Sequence, residues 1–143
     1  MKLNILKQKV NEAGGRITKV RLALLNLLLD TECLMTLSDL KDGLIELQVH
    51  PDRSTLFREL NYLEKINIIS QKLLDGIEYY ELKEGKHHHH LICENCKKIQ
   101  KVELDKHLGE QEVEIAARFK FKIKEHQLEF YGLCEKCEEN GER

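Results

Sequence analysis

Leucines set the rhythm of the first half of the chain. The apolar positions of residues 3–13 are spaced for a short helix, and Gly14-Gly15 predicts its stop, since adjacent glycines make poor helix interior and a good C-terminal cap. Val20, Leu24, Leu27 and Leu28 follow helical spacing, predicting an amphipathic helix over residues 19–29 capped by Thr18. After Thr36, Leu37, Leu40, Leu44 and Leu47 recur every three or four residues and mark a further core helix. Pro51 then opens a segment in which Asp52, Ser54 and Thr55 offer N-caps, and Leu56, Leu60 and Leu63 form the buried stripe of a helix to about residue 65. Beyond it the pattern changes. Residues 66–74 and 77–82 are apolar and β-branched, and the intervening Asp75-Gly76 is a hairpin signal. Helices followed by a two-stranded hairpin predict a winged helix-turn-helix.

Residues 83–86 are polar, aperiodic and contain a glycine, which places a boundary there and gives two domains, 1–83 and 84–143. In the second, residues 98–102 read as a strand, 108–119 as a helix with Val113, Ala116 and Ala117 inward, and 121–131 as a long strand. So small a unit buries little surface by itself. Phe121, Ile123, Leu128, Phe130 and Tyr131 would need a partner, and a homodimer joined through these strands supplies one. Its two-fold symmetry would suit a palindromic DNA site. The predicted class is α+β: a winged helix, then a small α/β dimerisation domain.

The chemistry of that second domain is carried by Cys93-Glu94-Asn95-Cys96 and Cys134-Glu135-Lys136-Cys137, two C-x-x-C knuckles. Four thiolates with no open position make a closed, structural Zn²⁺ site rather than a catalytic one. Paired disulfides or a redox C-x-x-C are the alternatives, and a reducing cytosol disfavours the disulfides. The run His87-His88-His89-His90 is internal. If extended, it turns His87 and His89 to one side and His88 and His90 to the other, so one strand could serve two metal sites. Glu81, His107, Glu110 and His126 are of the right type to complete them. A solvated linker with incidental histidines is the plainer alternative.

Composition narrows the picture further. The chain has 143 residues, 41% hydrophobic and 34% charged, with a net charge of −2, which argues against indiscriminate nucleic-acid binding but not against a local basic surface. Lys2, Lys7, Lys9, Arg16, Lys19 and Arg21 face a single acid, Glu12, at the front of the chain. On the helix after Pro51, Ser54, Thr55, Phe57, Arg58 and Asn61 lie off the buried face near the helix start. There a recognition helix touches base edges, with Arg to guanine and an aromatic against a thymine methyl; an ordinary surface helix is the alternative. No apolar run approaches the ~20 residues of a spanning helix, so no membrane association is expected. The first ten residues carry three lysines and no long apolar run, which points to the cytoplasm.

With these residues in view, the chain resembles the ferric uptake regulator family of metal-responsive bacterial repressors from about Gly15 to Cys137. Gly15-Arg16-Ile17-Thr18 followed by Arg21 resembles the family's opening, and Ser54-Thr55-Leu56-Phe57-Arg58 its recognition-helix motif. His87 to Cys96 resembles its hallmark, and Tyr131-Gly132-Leu133-Cys134 completes the match. The resemblance implies an iron-responsive repressor that binds a palindromic operator on double-stranded DNA as a homodimer, or as a higher oligomer, with metal setting the angle between the domains. It carries Arg16 toward the DNA backbone or minor groove and Phe57 and Arg58 toward the major groove, where Tyr usually stands at the position of Phe57. Arg21, Ser54 and Thr55 join this expected DNA-binding set.

The resemblance also implies two regulatory sites, both altered here. In the first, Leu34 stands where a histidine is usual, with Cys33 beside it, and Lys101 where an acid is usual. Glu81, His88 and His90 remain, with Cys33 or Glu103 as substitutes. In the second, His89 replaces the usual aspartate and joins His87, His126 and Glu110. Glu81 resembles iron-sensing members, whereas zinc sensors often place a cysteine there and peroxide sensors an aspartate. The expected regulatory ion is Fe²⁺ or Zn²⁺, and zinc- or peroxide-responsive regulation is the alternative within the family. Outside it stand a metal-storage protein without DNA affinity and a small zinc hydrolase, which would need an open zinc position beside a general base. No H-E-x-x-H is present, and no enzymatic activity is expected.

Overall fold

The computed structural model describes residues 2–31, 33–83, 88–104 and 108–141. The chain divides into two compact units, Met1–Gly85 and Lys86–Arg143. The linker expected at residues 83–86 lies, but for Lys83, outside the described residues.

The first unit begins with α1 (Lys2–Glu12), which stops where the glycines predict. Gly14 takes a left-handed φ of 82°, and the Gly15 N–H donates back to the Val10 carbonyl at 2.9 Å. Gly15 has a second reason to lack a side chain, since a Cβ there would meet the Tyr62 hydroxyl at 2.1 Å. Helix α2 (Lys19–Thr31) is capped by Thr18, whose Oγ1 accepts from the Arg21 N–H at 3.2 Å. A short strand that the pattern did not announce, β1 (Met35–Thr36), leads into α3 (Leu37–Glu46). Thr36 and Asp39 close α3 with a reciprocal capping box. Asp52 caps α4 (Arg53–Lys65), taking the Thr55 N–H at 2.7 Å.

Strands β2 (Ile69–Leu74) and β3 (Ile77–Leu82) form the expected hairpin. Asp75 and Gly76 have φ of 52° and 77°, the left-handed pair that a type I′ turn demands. β2 starts three residues later than its apolar run because residues 66–68 finish α4: Asn67 is left-handed and the Ile68 N–H bonds the Leu63 carbonyl. β1 adds to the free side of β3, giving the order β1-β3-β2. Beneath this wing lies a core in which Leu6, Leu24, Leu28, Leu40, Leu56 and Leu60 are buried together.

In the second unit β4 (His89–Cys93) is the central strand, antiparallel to β5 (Ile99–Val102) and parallel to β6 (Glu129–Gly132). Helix α5 (Gly109–Phe119) precedes β6 and the short α6 (Glu135–Glu139) follows it. Two expectations are corrected here. Residues 121–131 do not form one long strand: β6 pairs with β4 alone, and only His90 to Cys93 of that strand face it, so the ladder has length for four residues. Nor does α5 turn Val113 and Ala117 inward. Val113 is 71% exposed, Ala117 is exposed, and the half-buried positions are Glu112 and Ala116, one turn apart. Among the described residues no helix is long and apolar enough to cross a membrane.

Candidate functional site

The two C-x-x-C knuckles converge. Cys93 ends β4 and Cys96 lies in the turn to β5, which is closed by the Lys97 N–H to the Cys93 carbonyl and the Cys93 N–H to the Lys98 carbonyl, both 3.0 Å. Lys97 accommodates the turn with a left-handed φ of 63°. Cys134 is the N-cap of α6 and Cys137 lies three residues on, so one helical turn aims both sulfurs the same way. The four sulfurs lie within 4.8 Å of one another, and Cys96 and Cys134 are 3.7 Å apart. A tetrahedral zinc with Zn–S of ~2.3 Å sets its sulfurs ~3.8 Å apart, so donor type and spacing both fit that ion. All four are free thiols.

Hydrogen bonds tune the sulfurs unequally. Backbone N–H groups of Cys134, Cys96 and Asn95 stabilise the Cys93 thiolate against the cost of its burial and bring its pKa down to about 6. For Cys137 the Asn95 side-chain amide, 3.3 Å from Sγ, pulls downward. Burial and the neighbouring thiols of Cys134, Cys93 and Cys96 outweigh it and push the pKa up to about 11.

The histidines alternate as an extended strand requires. His88 and His90 meet edge to face with ring centroids 4.9 Å apart. His89 points the other way, its Nδ1 2.9 Å from the Leu128 carbonyl and its ring stacked 5.8 Å from His126. His126 Nδ1 is held by Glu112, not by the expected Glu110. Residues two apart on a helix point nearly opposite ways, and Glu110 is exposed in the first turn of α5. His90, wholly buried, has its own acid, Glu129, which the sequence reading missed. Its signal was the parallel register that sets Glu129 beside His90, and pairing of that kind is not written in a hydropathy pattern. His87 and His107 lie outside the described residues.

In the first unit Glu81 sits buried on β3 in an ion pair with Lys72 at 3.1 Å. Cys33 is half-buried in the bend before β1, and Leu34 is a core residue. On α4 the leucines at 56, 60 and 63 are buried, whereas Ser54, Arg58 and Asn61 are exposed and Thr55 and Phe57 half-exposed. The Arg53 guanidinium lies 5.4 Å from the centre of the Phe57 ring. Arg58 lies along the helix within reach of the Ser54 carbonyl and the Thr55 hydroxyl, at 3.4 and 3.3 Å. Arg16 is exposed just before α2.

Arg21, expected among the DNA-contacting residues, has a different role. It is buried, makes two bonds to Glu59 at 2.8 and 3.0 Å, donates to the Arg16 carbonyl and lies over the Tyr62 ring at 4.2 Å. A guanidinium with its donors so committed braces α2 against α4 and is not presented to a ligand.

The model of the ferric uptake regulator family matches residues 12–131. A ferric uptake regulation protein of Bacillus subtilis is 31% identical over 142 residues, covering 95% of this chain and 94% of that protein. That of Campylobacter upsaliensis is 33% identical over 141 residues, covering 94% and 88%. Among solved structures, the Vibrio cholerae ferric uptake regulator is 29% identical with a TM-score of 0.75, covering 90% of this chain and 98% of that one.

Proposed function

We propose, from the premise that the chain belongs to the ferric uptake regulator family, that it is a metal-dependent DNA-binding repressor. It acts in the cytoplasm as a homodimer on a palindromic operator, and its regulatory ion is Fe²⁺. The single observation that carries this reading is the alternation of the extended segment entering β4, which sends His88 and His90 one way and His89 toward His126. Each side ends in an imidazole already held by a carboxylate, His90 by Glu129 and His126 by Glu112. One set is built on His88 and His90. The other is His89 and His126 with Glu112. Bound there, a divalent ion supplies a charge that favours one arrangement of the two units, while the protein side chains select and hold it.

The four-thiolate cluster is a structural zinc site, since its donor set is complete without solvent or substrate. Arg16, Ser54, Thr55, Phe57 and Arg58 form the DNA-contacting set, supported by the exposure of Arg16 before α2 and by the placing of the other four off the buried face of α4. The exposed apolar residues Leu91, Phe130, Tyr131 and Leu133 line a depression of about 190 Å³ on the second unit and support the homodimer. A zinc-responsive reading is favoured by the imidazole-rich pairs, which suit Zn²⁺ as well as Fe²⁺.

Retention of genomic fragments in a gel, with Fe²⁺ under anaerobic conditions, with Zn²⁺ and with chelator, tests the reading. Fe²⁺-dependent retention is expected, and a shift with Zn²⁺ alone would move the assignment to zinc. Arg58→Ala should weaken the specific fragment by about 1–3 kcal/mol more than random DNA, because a base contact carries sequence information. Failure to retain DNA under any metal condition would sink the proposal.

A further inference from the structure

His90 is flanked across the sheet by two residues of opposite charge, Lys101 on β5 and Glu129 on β6. Lys101 is exposed, whereas the Glu129 side chain is only 8% exposed. Its Oε2 accepts twice from the same residue, from the His90 backbone N–H at 3.0 Å and from Nδ1 at 2.8 Å. Burying a carboxylate is costly unless charged or polar partners meet it, so the arrangement has to return something. What it returns is a fixed imidazole. A carboxylate on Nδ1 requires the proton there, which leaves the lone pair on Nε2, and the second bond to the backbone of the same residue anchors the acid to β4.

We infer that Glu129 is a positioning residue for metal binding at His88 and His90, supplying from β6 the acidic support that β5, with Lys101, does not. It acts through His90 rather than on the ion, because its oxygen occupies the ring edge opposite Nε2. Hydrogen bonding of this kind orients the ring, fixes its tautomer and raises its basicity toward a cation. The inference rests on the reading of His88 and His90 as metal ligands. Of the two strand neighbours of His90, β5 offers Lys101 and β6 the acid.

The test uses the full chain with zinc retained in the thiolate site, His126→Ala to silence the other histidine set, and Co²⁺ as the probe. In that background Glu129→Gln should weaken the His88-dependent Co²⁺ spectrum by about 10–100-fold, the usual cost of losing such a partner. Zinc content and thermal unfolding should stay close to the parent, and Glu129→Asp should restore part of the affinity. Long-range ¹H–¹⁵N spectra of the cobalt-free protein should show the His90 proton on Nδ1 in the parent, and lose that preference in Glu129→Ala. A proton on Nε2 in the parent, or unchanged Co²⁺ affinity in Glu129→Gln, overturns the inference while leaving the site. A loss of affinity matched by a loss of fold also overturns it, making Glu129 merely structural. Absence of any His88-dependent Co²⁺ signal in the parent overturns the ligand reading and this inference with it.

Discussion

The two units of this chain are stabilised by different chemistry. In the first, leucines from four helices bury one another and the polar groups are used at edges: caps, a hairpin turn, and the Arg21–Glu59 brace. In the second, α5 has no buried residue, and the buried positions of β4 and α6 are His89, His90, Ile92, Cys93 and Cys137. Apolar burial, at roughly 25 cal/mol per Å², dominates the first unit, whereas the second fills its interior largely with histidine and cysteine side chains. On the proposed function, the first unit is stable by its leucine core, and the second depends for stability on the ion its side chains hold.

The strongest way to break that contrast is to remove a thiolate. Structural zinc contributes about 10–16 kcal/mol of apparent free energy in small zinc domains at neutral pH, more than a unit this size holds in reserve. Cys137→Ser should therefore lose zinc, the folded second unit and the dimer together, while the helical first unit keeps its cooperative melt. Metal analysis, sedimentation and circular dichroism check this. A zinc-free variant that still dimerises would show that the second unit does not need its metal.

The reverse experiment acts on the leucine core. Leu60 is fully buried on α4, and Leu60→Ala leaves a cavity among packed neighbours at a cost of about 2–5 kcal/mol. The loss should appear in the melt of the first unit and leave zinc content unchanged. DNA affinity should fall as well, since α4 carries its proposed contacts on the opposite face.

The contrast also explains what could be read in the sequence. Leucine spacing, the Gly14-Gly15 stop, the Asp75-Gly76 turn and the C-x-x-C pairs are local signals, and each corresponds to a local structure: α1 to α4, the hairpin and the two knuckles. Failures cluster where long-range pairing decides. Residues 121–128 are apolar enough for a strand but have no partner in the ladder, and α5 shows apolar residues on an outward stripe that periodicity assigned inward. Arg21 was read by its charge and its place in a motif, though Glu59, 38 residues away, decides its role. Glu112 and Glu129 were missed because each meets its histidine through tertiary packing.

A smaller perturbation sharpens the comparison by asking whether fine polar detail matters in the leucine-built unit. Thr36 and Asp39 form a reciprocal capping box on α3, exposed to solvent, and Thr36→Ala should cost about 1 kcal/mol. For a unit of this size that corresponds to roughly 4–8 °C in the first melting transition, with none in zinc content or in metal titration. Asp52 on α4 adds a pH signature. The Thr55 side-chain and backbone bonds, with the charge of Arg58, hold its carboxyl below its ordinary value of 3.8. A depressed folded pKa means that the folded state favours the carboxylate. Its stabilisation is thus fully present above the ordinary value and is lost as pH falls through the lower, folded one. Asp52→Asn keeps an oxygen to cap the helix but has nothing to titrate, so its melting temperature should track the parent near neutral pH, offset slightly, and fall less steeply below pH 3.8. Parallel acid limbs in the two proteins would mean that the cap does not distinguish carboxylate from amide, and that the dipole of α4 contributes nothing measurable there.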